Sequence, residues 1–323
     1  MIGSDKRLSF ERVLKDREQA GIPIMMNKKW AYVGLAAVAA IWGANFGFSR
    51  IAMETFDPIL FAFLRFGLAV PCFFTILYWK EGHVGIPLRA ALQLALIGLF
   101  GVTLLEILVM YSIKYTTLAN ASLLNVAPWP IFAALFAPLF TKESLTRRLA
   151  VGGIVAIAGV CLVILGGAEG FSLSSDNMKG NLMAFSISLI GALFNLSCMP
   201  LMRTYSALRV STWFITFGAL FMFPLTIGSW GDVTWSDLGI KEYSVTLYNV
   251  LICTVVSFIV WNASMFRIGA ARSNFFRYVV PATAVAAGYL MFDEGISLWQ
   301  MGGAVLMAAG LVWISIDRKT ADS

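Results

Sequence analysis

Charged residues are scarce in this sequence. Asp, Glu, Lys and Arg make up 13% of its 323 residues, whereas a soluble protein carries about 25%. Apolar residues make up 59%, and long apolar runs recur along nearly the whole chain. The runs lack the alternation of a transmembrane β-barrel. The sequence therefore excludes an ordinary soluble domain and predicts an all-α polytopic membrane protein.

The predicted spans also contain no histidine and no closely spaced pair of cysteines that could serve catalysis or metal binding. The one histidine, His83, falls in a short polar loop, so no HExxH motif and no histidine-based triad lies in a span. The chain has no GxxxxGK[ST] loop, which excludes ATP hydrolysis by that device. The cysteines Cys72, Cys161, Cys198 and Cys253 lie in apolar segments without a CxxC spacing, which favours packing over disulfides or metal ligation. We expect no metal, no cofactor and no enzymatic activity.

Ten apolar segments have the length of a membrane-spanning helix, which is about 20 residues. The predicted helices cover residues 30–51, 58–79, 89–111, 118–140, 147–166, 180–201, 209–229, 244–266, 271–292 and 297–316. Most connections are short, so successive helices are predicted to be antiparallel neighbours. The two longest connections, 167–179 and 230–243, are rich in Gly, Ser and Asp, which is typical of exposed loops.

Basic residues are distributed unevenly between the two sides of the predicted bundle. Most of the 24 Lys and Arg fall in the N-terminal tail, in alternate connections and in the C-terminal tail. The opposite side carries only Arg50, Lys114, Lys179 and Lys241. Because cytoplasmic loops are enriched in Lys and Arg, both termini are predicted to be cytoplasmic. This distribution accounts for the net charge of +6 without a nucleic-acid partner. The tail 1–29 is polar and mixed in charge, unlike a signal peptide.

The two halves of the sequence match at an offset of 151 residues. The matching pairs are Phe66-Gly67 with Phe217-Gly218, Ala119 with Ala270, Ser122 with Ser273, Pro130 with Pro281, Glu143 with Glu294, Gly152 with Gly303 and Gly159 with Gly310. Each half holds five predicted helices, so the second half must be inverted relative to the first. We predict two inverted five-helix repeats, residues 30–166 and 180–316, between cytoplasmic tails 1–29 and 317–323. Such repeats are typical of alternating-access carriers.

Several motifs resemble those of EamA-type transporters of the drug/metabolite transporter (DMT) superfamily. They are Trp42-Gly43-Ala44-Asn45-Phe46, Pro58 with Arg65-Phe66, Ala121-Ser122-Leu123-Leu124 with Pro130, Glu143-Ser144-Leu145-Thr146, Gly152 with Gly159, and the echoes Pro281, Glu294 and Gly303 with Gly310. The resemblance covers residues 30–316. It implies a ten-helix bundle with a central cavity, transport of small metabolites such as amino acids, and a bacterial inner membrane as the location. Arg277 and Glu106 depart from the family pattern.

One polar layer is predicted in the outer third of the bundle. At about 1.5 Å per helical residue, Arg65 and Glu106 both lie roughly 10 Å below the outer surface, and Asn45 and Asn125 fall at a similar depth. A buried cation needs a counter-charge or several acceptors, so Arg65 is predicted to pair with Glu106. Direct substrate binding by Arg65, or its contact with backbone carbonyls or lipid headgroups, stays open.

A second polar layer, in the inner third, is predicted to contain Asn195, Asn262, Asn274 and Arg277. Arg277 has no acidic residue in a span at its depth. Its long side chain has two alternative roles. It either reaches the lipid headgroups, or it faces the cavity and binds a carboxylate or phosphate of the substrate.

Aromatic side chains accompany both layers and serve either as packing residues or as walls of a substrate site. The full set of predicted substrate-binding residues is Trp42, Asn45, Arg65, Glu106, Asn125, Trp129, Asn195, Trp261, Asn262, Asn274, Arg277 and Tyr278. The sequence thus predicts a non-ATP carrier that moves a small metabolite, such as an amino acid or another carboxylate-bearing solute, by alternating access, with export favoured.

The sequence leaves the coupling ion and the oligomeric state open. Glu106 is the sole acid deep in a span, so it is the obvious site for a coupling proton. Pairing with Arg65 would favour its charged form, which leaves uncoupled facilitation or exchange as alternatives. A non-transporting scaffold is a third alternative, although charges in spans weaken a purely structural bundle. Glycines seven residues apart in the fifth and tenth predicted helices favour a close helix contact, either internal or between protomers of a homo-oligomer.

Overall fold

Helices form within each of the ten predicted segments. A computed structural model describes residues 28–140, 147–165, 175–268 and 276–320. The helices are α1 (Lys28–Ala52), α2 (Pro58–Glu81), α3 (Leu88–Tyr115), α4 (Leu118–Val126), α5 (Trp129–Phe140), α6 (Arg147–Leu165), α7 (Asp176–Thr204), α8 (Ala207–Thr226), α9 (240–268), α10 (Val279–Phe292) and α11 (Leu298–Thr320). Short 3-10 turns cover Ile227–Trp230, Trp235–Asp237 and Phe276–Tyr278.

Two predicted helices differ from the structure. The fourth, predicted as continuous over 118–140, is broken between α4 and α5 at Ala127 and Pro128. Pro128 stands directly before the first residue of α5, where a missing backbone N–H costs little. The ninth was predicted to begin at residue 271. Residues 271–275 lie outside the described chain, and the described part begins with a 3-10 turn at Phe276.

The outside of the bundle is apolar. Helices α1, α2, α3, α7, α8 and α9 each contain a stretch long and apolar enough to cross a membrane, and shorter apolar helices cover Val151–Val163 and Val279–Phe292. Large apolar side chains are left exposed on this surface, with Trp79 at 90% and Leu290 at 78% exposure. A surface of this kind suits lipid rather than water. The chain is a multi-pass membrane protein.

Helices from the two halves of the sequence pack against one another. α2 lies along α8 and α6 along α11, while α1 packs against α9 and α10, and α7 packs against α3, α4 and α5. The main core cluster accordingly takes side chains from both halves, including Phe61, Phe73 and Phe214. The two halves therefore share one interior.

Both α3 and α9 contain a π-helical segment that the sequence analysis did not predict. The segments cover Leu99–Leu104 and Tyr248–Val256, so they overlap at the offset of 151 residues. Each holds a buried threonine whose hydroxyl donates to a backbone carbonyl. Thr103 donates to the carbonyl of Gly218 on α8 (2.9 Å) and Thr254 to that of Asn249 (2.8 Å). π segments are rare and are frequent at functional sites.

The predicted glycine contact is internal to the chain. α6 and α11 approach so closely at Gly159 and Gly303 that a Cβ built on either glycine lies 2.7 Å from the carbonyl oxygen of the other. Both of these oxygens belong to the backbone, which cannot move aside as a flexible side chain can. This contact needs glycine for space.

Replacing Gly159 with alanine should therefore lower the free energy of unfolding, by about 1–3 kcal/mol, which is typical of overpacking. Gly153 on the same helix provides the control, because a Cβ there meets only Ile131 at an ordinary 3.5 Å. Gly153→Ala should be neutral or slightly stabilising, since alanine favours the helix. Thermal unfolding of both variants in detergent measures the difference. Equal stability of the two would contradict the close contact.

Ion pairs link the helices at each end of the bundle. At one end, called here the Glu294 end, Arg50 of α1 forms an ion pair with Glu294 in the α10–α11 connection. Arg50 also donates to the backbone carbonyls of Ile113 (2.8 Å) and Thr116 (2.5 Å) at the end of α3. Glu294 in turn accepts from the backbone N–H of Leu118 at 2.8 Å. This group of contacts joins α1, α3, α4 and the α10–α11 connection.

At the opposite end, the Glu81 end, Arg209 of α8 contacts the carboxylate of Glu81 at 2.6 Å. Arg209 also donates to the carbonyl of His83 at 3.1 Å, and the hydroxyl of Ser206 donates to Glu81. His83 lies in the connection between α2 and α3, as the sequence predicted. These contacts join the first half of the chain to the second at this end.

Candidate substrate site

Arg277 lies among three tryptophans. Its guanidinium carbon is 4.2 Å from the ring centre of Trp129, 5.5 Å from that of Trp261 and 5.8 Å from that of Trp42. A guanidinium within about 6 Å of an aromatic face is attracted to it, and the attraction is stronger where water is excluded. The rings come from α1, α5 and α9, and Arg277 lies in the 3-10 turn before α10. Both halves of the sequence thus contribute to this cluster, called here the tryptophan cluster.

The contacts of Arg277 favour the interior of the bundle over the lipid headgroups. Trp129 and Trp261 are each only 6% exposed, so a guanidinium held beside both rings lies inside the bundle. A headgroup contact would require the side chain to point away from them. The depth argument from the sequence gave the level of Arg277 but not its direction around the helix.

Small residues and breaks in the helices position the three rings. Trp129 is the first residue of α5, directly after the break at Pro128, and its six-membered ring lies over Gly191 of α7. A Cβ at Gly191 would lie 2.0 Å from ring carbons of Trp129, so only glycine leaves room for the indole. The rings of Trp42 and Trp261 are 4.8 Å apart between centres.

The predicted pairing of Arg65 with Glu106 is confirmed. Arg65 Nη1 lies 3.3 Å from Glu106 Oε2, and the two side chains are only 7% and 12% exposed. Arg65 Nε also donates to the hydroxyl of Thr254 at 2.9 Å, and Nη2 lies 3.5 Å from Cys253 Sγ. This pair ties α2 to α3 and to the π segment of α9.

Cys253 connects the ion pair to the tryptophan cluster. The indole N–H of Trp42 donates to the backbone carbonyl of Cys253 at 3.1 Å, and the thiol of the same residue lies beside Arg65. The sequence analysis treated Cys253 as a packing residue and did not single out Thr254. The match of Thr103 with Thr254 at the repeat offset is the signal that would have drawn attention to this segment.

The other predicted site residues are more scattered. Asn45 is buried, and its Nδ2 donates to Ser49 on its own helix at 3.1 Å. For Asn125, the backbone carbonyl accepts from the hydroxyl of Ser188. Asn195 is half-buried on α7. Within the predicted outer layer, the described contact is therefore the one between Arg65 and Glu106. Asn45 and Asn125 bond to residues outside the layer.

Three predicted residues lie wholly or partly outside the described chain. Asn274 falls in the undescribed stretch 269–275, and the side chains of Asn262 and Tyr278 are not described. Among the residues that are described, no group of three or more His, Cys, Asp and Glu has a metal-binding arrangement. The site thus consists of the guanidinium of Arg277 surrounded by indole rings and, connected through Cys253, the buried ion pair of Arg65 and Glu106.

Known proteins resemble this chain over most of its length. The relative named "Uncharacterized transporter YetK" from Bacillus subtilis is 26% identical, covering 98% of this chain and 97% of its own. The "Probable terminal-alkyne amino-acid exporter" of Streptantibioticus cattleyicolor is 23% identical over 90% of this chain and 93% of its own. The "Probable amino-acid metabolite efflux pump" of Salmonella typhimurium is 24% identical over 88% and 94%. These relatives are transporters and exporters by name.

Fold and family agree with these relatives. A solved crystal structure that is 17% identical superposes with a TM-score of 0.63, covering 92% of this chain and all of its own. The EamA-like transporter family matches residues 29–165 and again residues 178–316. Because these two matches cover most of the sequence, the chain belongs to the EamA-like transporter family.

Proposed function

We propose that the chain is a secondary, ATP-independent transporter that moves a small carboxylate-bearing metabolite across a bacterial inner membrane by alternating access. Membership of the EamA-like family supports transport as the activity. Export is the favoured direction because two relatives are named as an exporter and an efflux pump. A small-molecule substrate and a lipid bilayer are the partners that this function requires.

The architecture we propose is ten transmembrane helices in two inverted five-helix repeats, with both termini in the cytoplasm. The helix contacts support it, because they recur in pairs related by the offset of 151 residues. α1 against α10 corresponds to α7 against α5, and α3 against α7 corresponds to α9 against α1. The family matches at 29–165 and 178–316 have the same spacing. Repeats of this kind can rock around a site between them.

The observation that carries the proposal is the position of Arg277 in the tryptophan cluster. A guanidinium inside an apolar bundle is costly and marks a functional site by default. Its planar donors match a carboxylate in a bidentate geometry, and the indole rings offer an apolar surface to the rest of the solute. The residues that we propose to bind substrate are Trp42, Asn45, Arg65, Glu106, Asn125, Trp129, Asn195, Trp261, Asn262, Asn274, Arg277 and Tyr278.

Replacing Arg277 with alanine should reduce export of the cargo by about tenfold or more, because a hydrogen bond to a charged group is worth about 1.5–3 kcal/mol. The test compares cells that express wild type, Arg277→Ala, Arg147→Ala or an empty vector, with equal amounts of protein in the membrane. Small molecules inside and outside the cells are then profiled. Arg147 is an exposed arginine at the start of α6, and its loss should leave export unchanged.

The outcomes separate the alternatives. A solute displaced by wild type and Arg147→Ala but not by Arg277→Ala identifies the cargo and places Arg277 in its path. Equal displacement by all three proteins would remove Arg277 from the substrate site. A profile with wild type that matches the empty vector would favour a non-transporting scaffold.

A further inference from the structure

Trp129 carries a buried donor that no described residue accepts. The side chain is 6% exposed, and its Nε1 has no hydrogen-bond partner among the described residues. An indole N–H can only donate, and buried polar groups in native proteins are nearly always bonded. Four other indole N–H groups, those of Trp42, Trp213, Trp230 and Trp235, donate to acceptors within the protein. A ligand with an acceptor atom would satisfy the N–H of Trp129.

The position of this donor suggests what the partner is. The guanidinium of Arg277 lies over the Trp129 ring, 4.2 Å from its centre, so a positive charge lies next to the indole that carries the N–H. Both groups only donate. A planar carboxylate offers two acceptor oxygens and one negative charge, which matches a cation next to a neutral donor. An ammonium group only donates and so offers no acceptor to either of these donors.

We propose that Trp129 Nε1 is a second donor to the substrate's carboxylate, beside Arg277, and so determines which solutes the site accepts. The site then requires a carboxylate but needs no amino group, and the apolar part of the solute lies against the rings of Trp42 and Trp261. This inference rests on the proposed function, since it concerns the same site. It adds the ligand class, amphipathic monocarboxylates, and the residue that selects them.

Binding of two matched probes to the purified protein tests this. Phenylacetate and phenethylamine have the same aromatic ring and carry opposite charges. Phenylacetate should bind wild type and raise its unfolding temperature, whereas phenethylamine should not bind. Trp129→Phe keeps an aromatic ring at this position but removes the N–H, so phenylacetate should bind it about tenfold more weakly. Trp79→Phe is the control, because Trp79 is 90% exposed, and it should bind as wild type does.

A second readout separates a ligand role from a structural one. Without ligand, Trp129→Phe should differ little in stability from wild type, because the void left at Gly191 is offset by no longer burying an unbonded donor. Three results would each overturn the inference: wild-type affinity in Trp129→Phe, equal binding of phenethylamine, or no binding of phenylacetate to wild type. Uptake of radiolabelled phenylacetate into proteoliposomes is measured in parallel. Binding as expected without any uptake would reject the proposed transport function and leave the carboxylate site in place.

Discussion

Replacing Glu106 with glutamine should destabilise the protein by about 3–5 kcal/mol, the usual cost of removing one partner from a buried ion pair. Arg65 would then keep its charge in the interior with only neutral groups around it, chiefly the hydroxyl of Thr254 and the thiol of Cys253. Neither group compensates a full positive charge in a medium of low dielectric. Unfolding of the variant in mixed detergent micelles at neutral pH, compared with that of wild type, measures the loss.

The double variant Arg65→Met with Glu106→Leu is the matched control. It removes both charges and fills the space with apolar side chains of similar size, and such replacements are often neutral or stabilising. The double variant should therefore be clearly more stable than Glu106→Gln. If Glu106→Gln were as stable as wild type, the Glu106 side chain would carry no charge in the folded protein. That result would contradict the ion pair and favour Glu106 as the carrier of a coupling proton.

The second large effect is expected at the Glu294 end of the bundle. Replacing Arg50 with methionine removes the ion pair with Glu294 and three hydrogen bonds to the carbonyls of Ile113 and Thr116. Hydrogen bonds from charged groups contribute about 1.5–3 kcal/mol each when buried. The side chains of Arg50 and Glu294, however, are 21% and 16% exposed. A loss of about 2–3 kcal/mol in the free energy of unfolding is therefore expected.

The control for this variant lies at the same end. Lys241 and Glu54 form an ion pair at 2.7 Å whose side chains are more than half exposed, and exposed pairs contribute about 0–1 kcal/mol. Lys241→Met should accordingly change stability little in the same unfolding assay. If both variants lost equal stability, the contacts of Arg50 with α3 and the α10–α11 connection would contribute no more than a surface pair.

Much of this fold follows from patterns along the chain. Apolar run length predicted eight of the ten helices to within about four residues, the fourth and ninth excepted, since a span must fill the bilayer with about 20 residues. Depth along the helix was enough to pair Arg65 with Glu106, because a buried cation has few alternatives to the nearest acid. The glycine spacing predicted a close helix contact, and the structure places it inside the chain at Gly159 and Gly303.

Other features depend on information that the pattern does not contain. Depth says nothing about rotation around the helix axis, so the sequence left Arg277 between headgroups and interior. The depth argument placed Asn45 in the outer layer, yet its amide bonds to Ser49 on the same helix, as short polar side chains often do with local partners. In a run made almost wholly of apolar residues, an α-helix and a π-helix produce the same sequence pattern. The pattern therefore could not predict the π segments of α3 and α9.

The two π segments also bear on how the proposed repeats arose. A π segment holds more residues per turn than an α-helix, and a single inserted residue is the simplest way for a helix to acquire one. Under the proposed repeat architecture, one insertion in an ancestral five-helix unit accounts for both segments. Arg65 and Glu106 have Thr216 and Ser257 at the same offset, so the charged pair belongs to one half alone. If the proposed repeats arose in this way, the π segments predate the duplication and the charge difference between the halves follows it.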